Sequence, residues 1–262
     1  MMIILKNLEL KSWRGWNVRK GSLKQILLIT DGCSNQGEDP IAMAALAKEQ
    51  GITVNVIGVV EEDTIDEQGM KEIEGIAMAS GGVSQVVYSQ QLSQTVQMVT
   101  RKAMTQTLQG VVNQELQQIL GSKTSMEDLP PEKRGEVMEV VDELGETTEL
   151  EVLILVDTSA SMKHKLPTVK EALLDLSLSL NARMGENNFS VFVFPGKRKD
   201  VERVLDWTPN LDSLTSIFPK LTTGGITPTG PAIQEAITHF KKKRSLRSLI
   251  SRDEQYYEES GM

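Results

Sequence analysis

Two stretches of this 262-residue chain carry oxygen donors at spacings that suit chemistry. Asp157-Thr158-Ser159-Ala160-Ser161 follows directly on the apolar run at 150–156 (LEVLILV), so a carboxylate and two hydroxyls leave a buried strand within one turn. The carboxyl edge of an open α/β sheet is where ligands sit. Oxygen donors with neither nitrogen nor sulfur suit a hard cation such as Mg²⁺, which takes about six oxygens at about 2.1 Å. The oxygen-rich loop at 222–230 (TTGGITPTG) can close on the same ion. An Asp and Ser cluster at a strand end also serves as a plain helix cap, and spacing alone leaves both readings open.

The elements that must position these groups follow from periodicity. Residues 25–30 (QILLIT) form a short apolar run ending at Asp31-Gly32, the pattern of a buried parallel strand. A helix follows, capped by Asp39 with Pro40 in its first turn and Gly51 after its end. Then come a strand at 52–60, a helix at 70–79 and a strand at 83–88, which is an α/β order with parallel pairing. From Gln91 a long helix carries an apolar stripe of Leu92, Val96, Val99 and Ala103, continued by Met104, Leu108, Val111 and Leu116, and Gly121 is its expected stop.

The stretch 126–151 holds ten acidic residues against two basic ones. Within it Pro130-Pro131 opens a helix in which Val137, Val140, Val141 and Leu144 share one face. That face is expected to be buried, with the acidic face either solvated or used for docking. After the run at 150–156 the pattern predicts a helix at 168–180, strands at 189–194 and 201–207, and a helix from Pro231 through His239.

Composition narrows the classes. With 28 basic against 36 acidic residues the net charge is −8, which argues against a general nucleic-acid binder and for a soluble cytosolic protein. One cysteine, Cys33, excludes an intramolecular disulfide, and one cysteine with two histidines cannot build the usual structural zinc site. The apolar start, residues 1–5, is too short for a signal-peptide core or a membrane span. Six basic residues with Trp13 and Trp16 in the first 24 make either a loosely ordered end or an arm for an anionic surface.

Here the residues resemble a family. DTSAS at 157–161 resembles the DxSxS motif of von Willebrand factor A (VWA) domains and integrin inserted domains, and GGITPTGPAI at 224–233 is similar to their threonine loop. The resemblance implies a further Asp at the end of a fourth strand, in a sequence like ITDG. No such strand lies downstream of Thr227, but QILLITDG stands at 25–32. The resemblance therefore implies a circularly permuted domain. Residues 20–110 are its C-terminal half, 151–245 its N-terminal half and 111–150 a helical acidic linker, with 1–19 and 246–262 outside it. The implied fold is α/β, a doubly wound, mostly parallel sheet with helices on both faces.

The resemblance also implies a metal-ion-dependent adhesion site for Mg²⁺ or Mn²⁺. Ser159 and Ser161 would bind the ion directly, Thr227 directly in a high-affinity state, and Asp157 and Asp31 mainly through water. Uncharged direct ligands leave much of the ion's charge for a partner's Asp or Glu, so the implied function is a non-catalytic protein-binding module. The chain resembles cytosolic bacterial VWA proteins, many of which work beside ATPases, kinases or other assembly partners.

Two rivals stand beside it. A magnesium-dependent hydrolase or phosphotransferase of the aspartyl-phosphate kind wants a carboxylate two residues after the nucleophile, where Ser159 stands. No GxxxxGK[ST] loop is present. His164 is expected to face solvent, His239 to sit near a helix C-terminus where it favours the dipole, and Cys33 to be a packing residue. The other rival is an interaction scaffold without metal.

Overall fold

The computed structural model describes residues 22–61, 67–120 and 125–259. The arm expected at 1–19 and the stop expected at Gly121 lie outside them. The elements run β1 (Leu23–Thr30), α1 (Pro40–Glu49), β2 (Ile52–Val60), α2 (Glu67–Ser80), β3 (Ser84–Tyr88), α3 (Leu92–Leu120), α4 (Pro131–Thr147) and β4 (Leu150–Asp157). They continue with α5 (Leu166–Asn181), β5 (Asn187–Phe194), β6 (Glu202–Thr208), α6 (Leu214–Ile217) and α7 (Thr229–Glu259).

The strands form one six-stranded sheet in the order β3-β2-β1-β4-β5-β6. All neighbours are parallel except β6, which runs antiparallel to β5 at the edge. This is the doubly wound, mostly parallel α/β sheet expected. Its two halves meet in the middle, where β1 pairs with β4 from Leu23↔Leu150 to Ile29↔Val156. From that pair the chain winds outward in opposite directions, so the carboxyl ends of β1 and β4 border the switch-point crevice.

Burial explains why these strands read as unbroken apolar runs. β2 and β4 are buried along their whole length, because helices cover both faces of a parallel sheet. Side chains alternate between two cores. Leu27, Ile29, Ile154 and Val156 pack with α3, α4 and α5, and Ile26, Leu28, Leu153 and Leu155 with α1, α2 and α7. Helix α1 starts as its sequence predicts: the Asp39 side chain accepts from the Ile41 N–H at 3.0 Å and Pro40 opens the first turn.

The acidic stretch is docked rather than loose. Val137 and Val141 of α4 are buried, and Val140 and Leu144 pack against the same core. The C-terminal end of α4 is held by a buried guanidinium. Arg183 donates to the carbonyls of Gly145 at 2.8 Å and Thr148 at 2.7 Å, and to Asn187 Oδ1 at 2.6 Å. A cation suits the orphan carbonyls and negative dipole end of a helix C-terminus.

Three expectations are corrected. The apolar stripe of α3 continues through Val112, fully buried, rather than the half-buried Val111, as one helical turn beyond Leu108 requires. Helix α7 starts at Thr229 and runs to Glu259, well past His239. His239 is thus mid-helix and cannot serve a helix end. It is buried, stacked on Trp207 at 5.4 Å and edge-on to Phe192 at 5.1 Å, with Nε2 3.2 Å from Asp206. Burial pulls its imidazole below the usual range, against the opposing pull of Asp206.

Replacing Arg183 strands the buried Gly145 carbonyl, the part-buried Thr148 carbonyl and the buried Asn187 amide oxygen. Arg183→Met is expected to cost about 3 kcal/mol, read as a lower urea midpoint without a change in far-UV circular dichroism.

Candidate metal centre

The site is built where β4 ends. Asp157 is that strand's last residue and is wholly buried. The next peptide continues the ladder, since the Thr158 N–H donates to the Phe194 carbonyl at 2.7 Å. Its hydroxyl donates to the Pro195 carbonyl at 2.8 Å. The chain then folds into a 3-10 turn over Ala160–Met162, which carries both serines round to one side. The Ser159 N–H donates to Asp157 Oδ1 at 2.7 Å, and Thr30 Oγ1 from the end of β1 donates to Asp157 Oδ2 at 2.7 Å.

Asp31 stands one residue past β1. Its Oδ1 accepts from Ser161 Oγ at 2.8 Å, and Ser161 Oγ lies 3.1 Å from Ser159 Oγ. Asp31, Asp157, Ser159 and Ser161 therefore form one connected cluster. Asp157, Ser159 and the Asp31 side chain are buried, while Ser161 is exposed and opens the cluster to solvent.

The threonine loop reaches the same edge by backbone contacts. Gly224 pairs with Ser159 in an isolated parallel bridge, and its N–H donates to the Thr158 carbonyl at 3.0 Å. Thr227, buried, is tied to the loop just beyond Asp31. Its N–H donates to Asn35 Oδ1 at 2.8 Å, and its carbonyl accepts from the Asn35 N–H at 3.2 Å. Two residues on, the buried Thr229 hydroxyl has no hydrogen-bond partner. The loops approach so closely that a Cβ on Gly230 would lie 1.9 Å from the Glu38 carbonyl oxygen, which is why only glycine fits there. All five sequence-derived residues thus lie at one sheet edge, four linked by hydrogen bonds and Thr227 held beside them through the Asn35 loop.

The donor set is carboxylate and hydroxyl oxygen, which suits Mg²⁺ or Mn²⁺. Among the described residues no group of three His, Cys, Asp or Glu side chains could hold a metal by itself. At this edge the hydroxyls of Ser159, Ser161 and Thr227 are the protein oxygens that could join the two carboxylates around a cation.

Sequence reasoning missed one charged member. Lys165, at the start of α5, places Nζ 2.5 Å from Asp31 Oδ2, with both side chains buried. Its only sequence signal is a position one helical turn after Ser161. His164 is exposed, as expected, and Cys33 is half-buried.

A cleft of about 650 Å³ opens between the β5–β6 hairpin and α7. Lys197, Arg198, Lys199, Arg203 and Lys242 line it against Glu202 and Glu235. Pro195, two residues before Lys197, accepts the Thr158 hydroxyl at 2.8 Å and would touch a Cβ on Gly224 at 3.3 Å.

With this geometry in place, the comparisons agree on the class. Two family models, both of the von Willebrand factor type A domain, match residues 4–102 and 152–254. The chain belongs to the VWA family. The order of the matches and the single sheet that both share fit the permuted arrangement. The chain is 70% identical over 245 residues to the uncharacterized protein YabS of Bacillus subtilis (strain 168), covering 94% of this chain and all of that one. It also resembles the crystal structure of an uncharacterized protein from Alicyclobacillus acidocaldarius subsp. acidocaldarius DSM 446, at TM-score 0.79 and 43% identity. That match covers 86% of this chain and 96% of the other.

Burial raises the Asp157 carboxyl to about 6, against hydrogen bonds from Thr30 and Ser159 and with the Asp31 charge adding to the rise. The folded chain then holds a proton that the unfolded chain has lost between about pH 4 and pH 6. The contribution of this carboxyl is fully present below about pH 4 and is lost as pH climbs through about 6. Asp157→Asn is expected to remove about 3 kcal/mol of pH dependence over that window, measured by urea unfolding in chelator.

Proposed function

We propose that this VWA domain is a non-catalytic, divalent-cation-dependent protein-binding module. Ser159, Ser161 and Thr227 bind Mg²⁺ or Mn²⁺ directly, Asp157 and Asp31 support it mainly through water, and an Asp or Glu of a protein partner takes the remaining position. The ion supplies charge that the hydroxyl ligands leave unneutralised, and a carboxylate meets it in a strong charge-assisted contact.

One observation carries this reading: Ser161 donates to Asp31 at 2.8 Å across 130 residues of sequence. That contact assembles the site from both halves of the permuted domain. The exposure of Ser161 leaves a side from which a partner approaches. The cleft between the β5–β6 hairpin and α7, with five cationic side chains against two carboxylates, has the sign that favours an acidic surface. No described helix is long and apolar enough to cross a membrane, and the proposed setting is the cytoplasm.

A second reading, the metal-free scaffold, is favoured by Lys165, whose ammonium already gives Asp31 a cationic partner. Thermal unfolding with Mg²⁺ or Mn²⁺ separates the two, because a ligand that binds only the folded state stabilises it, by about 2.7 kcal/mol at about 100 times Kd. Wild type is expected to gain stability while Asp31→Ala and Asp157→Ala each lose the gain. A wild type that ignores both ions would put the scaffold first. An Asp31→Ala protein that responds like wild type would show that the halves do not share a site.

A further inference from the structure

We propose that Lys165 is a built-in counter-cation that sets the metal affinity of this centre, by competing with the ion for Asp31. The inference rests on the metal-dependent reading above and names a residue that tunes it.

Lys165 is fixed at both ends, by its backbone and by its ammonium. Lys165 has helical backbone angles at the N-terminal boundary of α5, and its N–H donates to the Met162 carbonyl at 2.9 Å. The segment carrying it is therefore continuous with the turn that carries Ser159 and Ser161. From there the side chain crosses to the end of β1, where Nζ meets Asp31 Oδ2 at 2.5 Å, with 8% and 4% of the two side chains exposed. The other Asp31 oxygen is taken by Ser161. Both oxygens of a residue assigned to the ion thus already have donors, one of them charged.

Charge decides the direction of the effect. Two carboxylates and one ammonium give the connected cluster a formal charge of −1, and neutralising Lys165 would make it −2. A divalent cation is repelled by the ammonium and attracted by Asp31, and at buried positions neither interaction is screened as it is in water. With Lys165 charged, the loaded cluster keeps a net positive charge, the sign that a partner's carboxylate requires. With Lys165 neutral, the ion binds more tightly and the loaded cluster has no charge left over.

A purely structural lysine makes a different prediction. Such a residue would only hold Asp31 in place, and its loss would weaken metal binding or leave it unchanged. Glutamine at 165 keeps a donor for Asp31 without the charge, whereas methionine removes both, so glutamine guards against a variant that fails to fold.

The experiment is calorimetric titration of the full chain with Mn²⁺ and Mg²⁺ alone, for wild type, Lys165→Gln, Lys165→Met and Lys165→Arg, with folding checked by circular dichroism. Lys165→Gln is expected to bind Mn²⁺ about tenfold more tightly than wild type. Lys165→Met is expected to do the same where it folds, and Lys165→Arg, which keeps the charge, to stay within about threefold of wild type. If wild type binds metal and Lys165→Gln binds equally or more weakly, the inference is overturned while the metal-dependent reading stands. If neither wild type nor any folded variant binds either ion, the metal-dependent reading falls and takes the inference with it.

Discussion

The parallel pairing of β1 with β4 is the interaction on which the rest of this molecule depends. Each strand brings a half-sheet that would otherwise expose an edge of unpaired N–H and C=O groups, and the pairing closes both. It also fixes the register that sets Thr30 and Asp31 beside Asp157. The connection between the halves follows from that demand. Beginning beyond the outer strand β3, the chain must return to the centre of the sheet. It does so through α3, about 43 Å long at the rise of a regular helix, and α4. Both helices bury apolar faces over one side of the sheet, so the path back adds to the core.

Charge is distributed as unevenly as the topology is connected. The net −8 is concentrated around α4, where Glu132, Glu139, Asp142 and Glu143 face solvent on the side of the sheet covered by α3 and α5. The basic cleft lies by α7, which covers the opposite side. Between them, at the carboxyl edge, the buried carboxylates of Asp31 and Asp157 sit with the Lys165 ammonium. A chain that looks merely acidic in composition therefore offers a partner two surfaces of opposite sign. Long-range attraction can select the approach before any short contact forms.

Much of this was legible along the chain. The runs at 25–30 and 150–156 read as buried strands because a sheet covered on both faces needs apolar side chains at every position. Asp39-Pro40 announced a helix start through local capping chemistry, and Val137 with Val141 announced the buried face of α4 through spacing. His239 was misplaced because nothing local shows where a polar helix ends. Its environment is made by Trp207 and Phe192 from two other strands.

By itself, then, the sequence determined most of the elements and the DTSAS turn after β4, because strand burial, helix capping and tight turns are decided by neighbours within a few positions, while the set of five oxygen-bearing residues came from the resemblance that its motifs carry. Only the tertiary structure decided that Ser161 meets Asp31 and that Lys165 neutralises it. Those contacts join residues 130 and 134 positions apart, and the register of a central strand pair, not any local preference, sets their distance.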